Sequence, residues 1–380
     1  MEFKCNKESL YRGVQSVERI VSTKSTLPVI GNILLEAEKS KFKISANNLE
    51  IGMEVSIKAN IDEEGAILVP AKIFSGIVSK LPDTEITIKT MDKGIVRISY
   101  KQSNFNINGL SPDEFPALPK VKEGKSFNIE SKLFSEMIDQ TEFSVSMSED
   151  KYVLCGVLME FGKSQSSGDS SNMRMVSTDG YRLSKRGCKL PSSPPIETNI
   201  IVPAKALSEV SRVIAADPDG EVEITLRGDQ VSFTYKDTYL VSRLIQGQFP
   251  DYKQVIPKGS EIKVGLNCKS FLQSVERAAV IASSSANIIR LEVKGGKINV
   301  IANAPDVGSV NEVREADIKG GDKAQAAFNA RLIMDALKVI KEEKIVLELS
   351  GPLSPGLIRP MGGDDFTYIV MPIRVAETSA

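Results

Sequence analysis

The sequence contains no histidine and no tryptophan, four cysteines in 380 residues, and only 6% aromatic residues. Without histidine the chain lacks the commonest general base near neutral pH and the commonest metal ligand, which weighs against an enzyme. Cys5, Cys155, Cys188 and Cys268 form no C-x-x-C pair, so they read as reduced thiols and not as a disulfide framework or a metal site. No cofactor is expected. Charge of one sign is also missing: 48 Lys and Arg stand against 49 Asp and Glu, a net charge of -1. That excludes a protein gripping nucleic acid over its whole surface, and leaves room for a local basic lining balanced by acid elsewhere. No apolar run approaches the roughly 18 residues of a membrane span, and Met1-Glu2-Phe3-Lys4 leads into no apolar signal core. A soluble, cytoplasmic protein with no membrane partner is expected.

What is present is repetition. Gln15-Ser16-Val17-Glu18-Arg19 returns as Gln273-Ser274-Val275-Glu276-Arg277, 258 positions later. Val69-Pro70-Ala71-Lys72 returns as Val202-Pro203-Ala204-Lys205 at an offset of 133, and Phe115-Pro116 as Phe249-Pro250 at 134. Leu10, Val14, Val17 and Val21 have helical spacing and predict an amphipathic helix over 10–22. Alternating and β-branched runs follow at 33–37, 42–46, 51–59 and 66–69. A second helix opens at Pro70, a residue suited to a first turn, with Phe74, Ile77, Val78 and Leu81 as its stripe. Strands at 86–88, 95–100 and 105–107 complete the unit. The pattern restarts at Ser126, with a helix carrying Phe134, Ile138, Thr141 and Val145, and again at Lys263; Phe328-Asn329-Ala330-Arg331 stands where Val-Pro-Ala-Lys stood before. The reading is α+β: three tandem domains, 1–122, 123–257 and 258–380, each a doubled helix-plus-antiparallel-sheet module. One Ser- and Gly-rich insert, 163–172, reads as a hairpin tip.

If every helix buries its stripe on a sheet, six opposite faces remain. Across the windows 10–22, 71–81, 131–145, 204–215, 269–282 and 330–341 there are twelve bases: Arg12, Arg19, Lys72, Lys80, Lys132, Lys205, Arg212, Lys269, Arg277, Arg331, Lys338 and Lys341. The acids there are seven: Glu18, Glu136, Asp139, Glu142, Glu209, Glu276 and Asp335. Taken alone this is a set of solvated faces. With the repeat, equivalent helices on one wall of a closed ring would attract phosphates without reading sequence. Arg19 and Arg277 then sit at equivalent places, and the lining is weakest along the middle domain's first helix.

Val176-Ser177-Thr178-Asp179-Gly180-Tyr181-Arg182-Leu183, Gln248-Phe249-Pro250-Asp251-Tyr252 and Tyr368-Ile369-Val370-Met371-Pro372-Ile373-Arg374, in this order and within a threefold repeat, carry a resemblance. From end to end the chain resembles the bacterial sliding clamps, the beta subunits of the DNA polymerase III holoenzyme. The resemblance implies a non-enzymatic processivity factor for DNA replication: three DNA-clamp domains per subunit and a head-to-tail homodimer closing into a ring around double-stranded DNA. Implied partners are the replicative polymerase, a separate ATP-driven clamp loader and other proteins with a clamp-binding motif. They dock short peptides bearing a Gln and bulky apolar residues in a pocket between the second and third domains. One wall of that pocket would be Leu154, Thr178, Gly180, Tyr181, Arg182 and Leu183; the rest would be Pro250, Val255, Asn329, Leu353, Ile369, Val370, Met371, Pro372, Ile373 and Arg374. Lys24, Ser148, Lys151 and Tyr152 match loop positions that touch DNA. Phe105 and Ile107 match positions that pack against Val280 and Ile281 of the other subunit.

The chain departs from the family pattern at Tyr181, where many members have His, at Gln254, Leu332 and Ala286, and at Val153, which replaces a frequent aromatic. Residues 376–380 also extend past the usual end. Without the resemblance, Ile369 to Pro372 read as a buried last strand, and Asp179-Gly180 as a turn more economically than as part of a hydrolytic site. A peptide-binding scaffold that never encircles DNA is the alternative reading.

Overall fold

A computed structural model describes residues 1–21, 27–39, 41–121, 124–162, 171–190, 194–321, 323–363 and 365–374. Helices and antiparallel strands alternate as expected, and the chain divides into two compact units, 1–135 with 205–244 and 136–204 with 245 onward. The expected middle segment, 123–257, gives strands to both.

In the first unit, α1 (Lys7–Glu18) starts where Asn6 ends a strand, the Asn6 side chain accepting the Glu8 N–H at 2.8 Å and so satisfying a first-turn donor. Leu10, Val14 and Val17 are fully buried, each worth about 1.5–3 kcal/mol. A Cβ at Gly13 would stand 2.9 Å from Ile44 Cδ1, so glycine lets the helix settle close to the sheet. The helix expected over 10–22 thus begins earlier and ends earlier. α2 (Ala71–Lys80) follows strand Gly65–Pro70 directly, with Pro70 at the cap instead of in the first turn. Phe74 and Val78 are fully buried, Ile77 only half so, and Ser75 turns inward to donate to Glu18 at 2.5 Å.

Two sheets complete this unit. One runs in the order Asn60–Glu63, Glu2–Asn6, Glu85–Thr90, Ile95–Tyr100, Ser103–Asn108. The other has eight strands and passes without a break from Thr238–Arg243 to Ile51–Lys58, with Val241 opposite Gly52. The short strand Asn60–Glu63 carries no apolar alternation and was not legible in the sequence.

The division between the units falls inside α3 (Ser131–Asp139). The helix expected to reach Val145 stops at Asp139 because the Thr141 hydroxyl turns back onto the Met137 carbonyl at 2.7 Å, a local bond that competes with helix propagation. Two 3-10 turns, Glu142–Ser144 and Glu149–Cys155, carry the chain onward. α4 (Ala204–Ala216) buries Leu207, Val210 and Ile214 as expected.

The second unit has a nine-stranded sheet in which Arg182–Cys188 pairs with the last strand, Phe366–Val370, Leu183 opposite Ile369. A four-stranded sheet of Gly308–Glu315, Lys297–Ala304, Ile288–Lys294 and Lys323–Asn329 accompanies it. α5 (Cys268–Ala282) and α6 (Ala330–Val339) are capped by Asn267 and Asn329, whose side chains accept Ser270 and Arg331 N–H groups at 3.0 and 2.9 Å. The repeated pentapeptide has one structure in both places: Val17 and Val275 are fully buried, Arg19 and Arg277 are exposed, and Ser16 and Ser274 return their hydroxyls to the carbonyl four residues back. Of the insert expected at 163–172, residues 163–170 lie outside the described residues. No helix among the described residues is long and apolar enough to cross a membrane.

Candidate functional site

The cleft expected from the last strand is built on the Leu183–Ile369 pair. Because side chains alternate along a strand, Ile369 faces a cluster of Leu158, Val176, Leu183, Ile201, Ile245 and Tyr252, whereas Val370 and Tyr368 face the core beneath α5 and α6. Val370, expected in the pocket, is therefore a core residue.

The rim is set by the Thr178–Arg182 turn. Asp179 Oδ1 accepts the backbone N–H groups of Tyr181 and Arg182 at 2.8 and 3.0 Å, and Thr178 Oγ1 accepts that of Gly180 at 3.1 Å and donates to the Arg182 carbonyl at 2.6 Å. Gly180 has φ +94°, which a side chain would oppose. The Arg182 guanidinium locks the turn, donating to Asp179 at 2.9 Å, Asp335 at 2.7 Å and the Phe143 carbonyl at 2.6 Å, with its carbon 5.4 Å from the Phe143 ring centre.

The resulting cavity holds about 180 Å³ and is lined by Leu154, Thr178, Gly180, Arg182, Leu183, Pro250, Val255, Ile369 and Met371, all expected, together with Asp251 and Tyr252. Tyr252 was missed although it lies in the quoted Gln-Phe-Pro-Asp-Tyr run. Its hydroxyl donates to the buried Glu160 at 2.7 Å, and Arg174 pairs with the same carboxylate oxygen at 3.0 Å. Burial, then the bond to Glu160, push the Tyr252 phenol above its usual range, so it stays a neutral donor.

Other expected pocket residues lie outside this lining. Asn329 is committed to capping α6. Ile373 anchors the chain end through its N–H to the Ala327 carbonyl at 2.8 Å, leaving Pro372 half-buried and Arg374 exposed beside it in sequence. Tyr181 and Leu353 are exposed, with Lys151 Nζ 5.6 Å from the Tyr181 ring centre. Of the departures, Gln254 donates to Asp251 at 2.9 Å and the Leu332 carbonyl accepts the Tyr368 hydroxyl at 2.8 Å. Ala286 takes a left-handed conformation, φ 54°, after α5. The tail from 375 lies outside the described residues.

On the helix faces, all twelve bases are exposed, whereas of the seven acids only Asp139 and Glu276 are. Glu18 accepts from Ser75, Glu136 pairs with Arg186 and Lys341, Glu209 with Arg212, and Asp335 with Arg182. Withdrawing the acids makes the exposed surface more basic than the sequence count. Seven bases, Arg19, Lys72, Lys80, Lys205, Lys269, Arg331 and Lys338, have no ion-pair partner among the described residues.

Arg277 is different. Glu312, on strand Gly308–Glu315, takes it in a two-point bond of 2.8 and 2.7 Å, and that bond holds the Glu312 carboxyl below its usual range. The two arginines of the repeated pentapeptide are thus unequal in available charge. Lys151 and Tyr152 are exposed on the 3-10 segment, and Ser148 is exposed just before it, next to Met147, itself 94% exposed; Lys24 lies outside the described residues.

Of the expected interface residues, Val280 is 70% exposed and Phe105 39%, Ile281 is half-buried, and Ile107, at 9%, is already packed within its own unit. Phe105 sits on Ser103–Asn108, whose outer edge pairs with no strand among the described residues; Gly308–Glu315 has such an edge too. Among the described residues no group of three or more Cys, Asp or Glu is placed to hold a metal ion.

Residues 1–119, 128–251 and 253–374 match the family models of the N-terminal, central and C-terminal domains of the DNA polymerase III beta subunit. Such three-domain proteins are sliding clamps, processivity factors without enzymatic activity. A Beta sliding clamp of Staphylococcus epidermidis is 29% identical over 98% of this chain and 99% of its own length. The crystal structure of the DNA polymerase sliding clamp of Bacillus subtilis superposes with a TM-score of 0.91 at 30% identity, covering 99% of both chains. A sliding clamp of Pseudomonas aeruginosa solved bound to griselimycin gives 0.90 at 28% identity, covering 99% of this chain and 100% of that one. The chain belongs to the bacterial DNA polymerase III beta subunit family and functions as a DNA sliding clamp.

Proposed function

We propose that two copies of the chain join head to tail, encircle duplex DNA without reading its sequence, and tether the replicative polymerase through the Leu183–Ile369 cleft. The observation that carries the tethering is the cleft itself: a preformed apolar hollow, walled by a turn that Arg182 and Asp179 hold, with a few polar groups to orient a peptide backbone. Met371 at its rim suits varied partners. Met371, Pro250, Val255 and Leu154 are assigned to the peptide's apolar side chains.

Encirclement is supported by the exposed helix bases, which position phosphates and carry no sequence information. Ser148, Lys151, Tyr152 and Arg19 are the assigned contacts, with Arg277 weakened by Glu312. Lys24 keeps its place in the assignment from the resemblance alone. For the dimer, Phe105 of one copy meets Val280 and Ile281 of the other; Ile107, on the same strand, is 9% exposed and adds little to that contact. A loader, the polymerase and further motif-bearing proteins would share this cleft in turn. Four free thiols suit a cytoplasmic setting.

Sedimentation tests the assembly. The chain is expected to run as a dimer at micromolar concentration and Val280→Asp as a folded monomer that is no longer retained on nicked circular plasmid. A monomeric parent chain, or a Val280→Asp variant that still dimerises, would overturn this interface.

A further inference from the structure

The first unit contains a second cleft with the same construction. In it Asn48 Oδ1 accepts the N–H groups of Glu50 and Ile51 at 3.0 and 2.8 Å, as Asp179 Oδ1 does for Tyr181 and Arg182. Asn47 Oδ1 accepts the Leu49 N–H at 2.8 Å, as Thr178 Oγ1 does for Gly180. The strand after each turn pairs antiparallel with a strand of the next module, Gly52 with Val241 in one case and Leu183 with Ile369 in the other. The exit hydrogen bond is also the same: Arg243 N–H to the Glu50 carbonyl and Met371 N–H to the Tyr181 carbonyl, both 2.9 Å. Pro116 enters the lining where Pro250 does, and the cavity holds about 200 Å³ against 180 Å³.

The side chains presented on this frame differ, and the differences say what would fit. Arg243 replaces Met371, is exposed, and has no ion-pair partner among the described residues. Leu49 replaces Gly180 while keeping a left-handed backbone, φ 77°, and is 45% exposed. A leucine held in that conformation and presented to water is costly, and it supplies an apolar surface at the mouth. Gly52 replaces Leu183; a Cβ there would stand 2.2 Å from Leu118 Cδ2, so Leu118, two residues after Pro116 as Tyr252 is after Pro250, packs onto Gly52 in the space of the missing side chain. Glu50, whose carbonyl accepts the Arg243 N–H, is exposed on the same turn as the cross-strand neighbour of Arg243. The cleft therefore presents a hollow of mixed character, with Leu49, Pro116, Pro119 and Val241 as its apolar surface, Asn47 and Gln230 as polar groups, and Arg243 as a cation with no ion-pair partner among the described residues.

We propose that this second cleft, centred on Leu49, Val241 and Arg243, docks an extended peptide whose apolar side chains are followed by one carboxylate. The proposal rests on the reading of the Leu183–Ile369 cleft as a peptide site. It gives each chain two docking points of unlike preference, so that two segments of one partner, or two partners, can be held at once.

The test uses the full chain and two capped probes, acetyl-Gln-Leu-Ala-Leu-Phe-Asp-amide and its counterpart ending in Asn, titrated by calorimetry and mapped by hydrogen exchange. The Asp probe is expected to fill two sites per chain. Arg243→Glu is expected to weaken one of them about tenfold or more, since a carboxylate would meet a like charge, and to protect residues 366–370 unchanged. Met371→Glu is expected to remove the other site and spare protection at 47–52. The Asn probe is expected to lose only the site that Arg243 serves. A single site, abolished by Met371→Glu and indifferent to Arg243→Glu, would overturn the second cleft while leaving the first intact. A single site abolished only by Arg243→Glu would overturn the reading of the first and leave the second standing. Failure of the Asp probe to bind at either place would overturn both.

Discussion

Replacing Arg182 with lysine keeps the charge and removes the fork. The native guanidinium spans three acceptors on separate stretches of chain: Asp179 in the turn, Asp335 in α6 and the Phe143 carbonyl. Its side chain is only 11% exposed, so these bonds form largely out of water. A lysine ammonium reaches one such acceptor, or two at the cost of the Phe143 stack. The abandoned Phe143 carbonyl costs about 1–3 kcal/mol. Asp335 is 40% exposed and will rehydrate, so its loss is cheaper. The sum is about 2–4 kcal/mol in the stability of the second unit. Because the same bonds hold the turn that walls the cleft, affinity for a polymerase-derived peptide should fall about tenfold, equivalent to about 1.4 kcal/mol. Hydrogen exchange at 366–370 reads the first quantity and fluorescence anisotropy of a labelled peptide the second. A variant within about 0.5 kcal/mol of the parent and with unchanged affinity would refute the claim that the guanidinium fork builds the site.

Two further outcomes follow from charges elsewhere. Glu312→Gln releases Arg277 from its two-point bond; duplex binding should tighten at low salt and the salt slope steepen by about 1, and an unchanged slope would mean that Arg277 lies away from the duplex. Cys5 and Cys188 are pushed up to about 12 by burial, from an ordinary value of 9.0. Both thiols thus remain protonated in the fold at pH values where the unfolded chain ionises them. Their contribution is whole below about pH 9 and is lost as pH climbs toward 12, by about 1.4 kcal/mol per unit for each thiol. Urea midpoints should fall across that window, and Cys5→Ala should flatten the fall; a midpoint level to pH 11 would contradict the burial argument.

The repeat and the helices were legible because each is written in periodic apolar residues and short spellings. Val-Pro-Ala-Lys opens both α2 and α4 directly after a strand, and Asn329-Ala330-Arg331 opens α6 in the same way. What escaped the sequence depends on residues distant in the chain. Glu312 captures Arg277 from 35 positions away, and nothing near Arg277 signals it. Thr141, taken for a helical residue on the stripe, ends α3 through its hydroxyl. Val370 could not be separated from Ile369 by composition; strand alternation sends one to the core and the other to the cleft. The second cleft was hidden in the same way, because Asn48 and Asp179, or Arg243 and Met371, match in hydrogen bonding and not in spelling.

Encirclement is tested most directly by topology. The chain, loaded by its clamp loader and ATP onto a nicked circular plasmid, should remain bound through gel filtration at salt concentrations that dissolve ordinary phosphate contacts. Cutting the plasmid once should release it. Retention on the linear product, or loss from the closed circle at moderate salt, would contradict a ring that holds DNA by enclosing it.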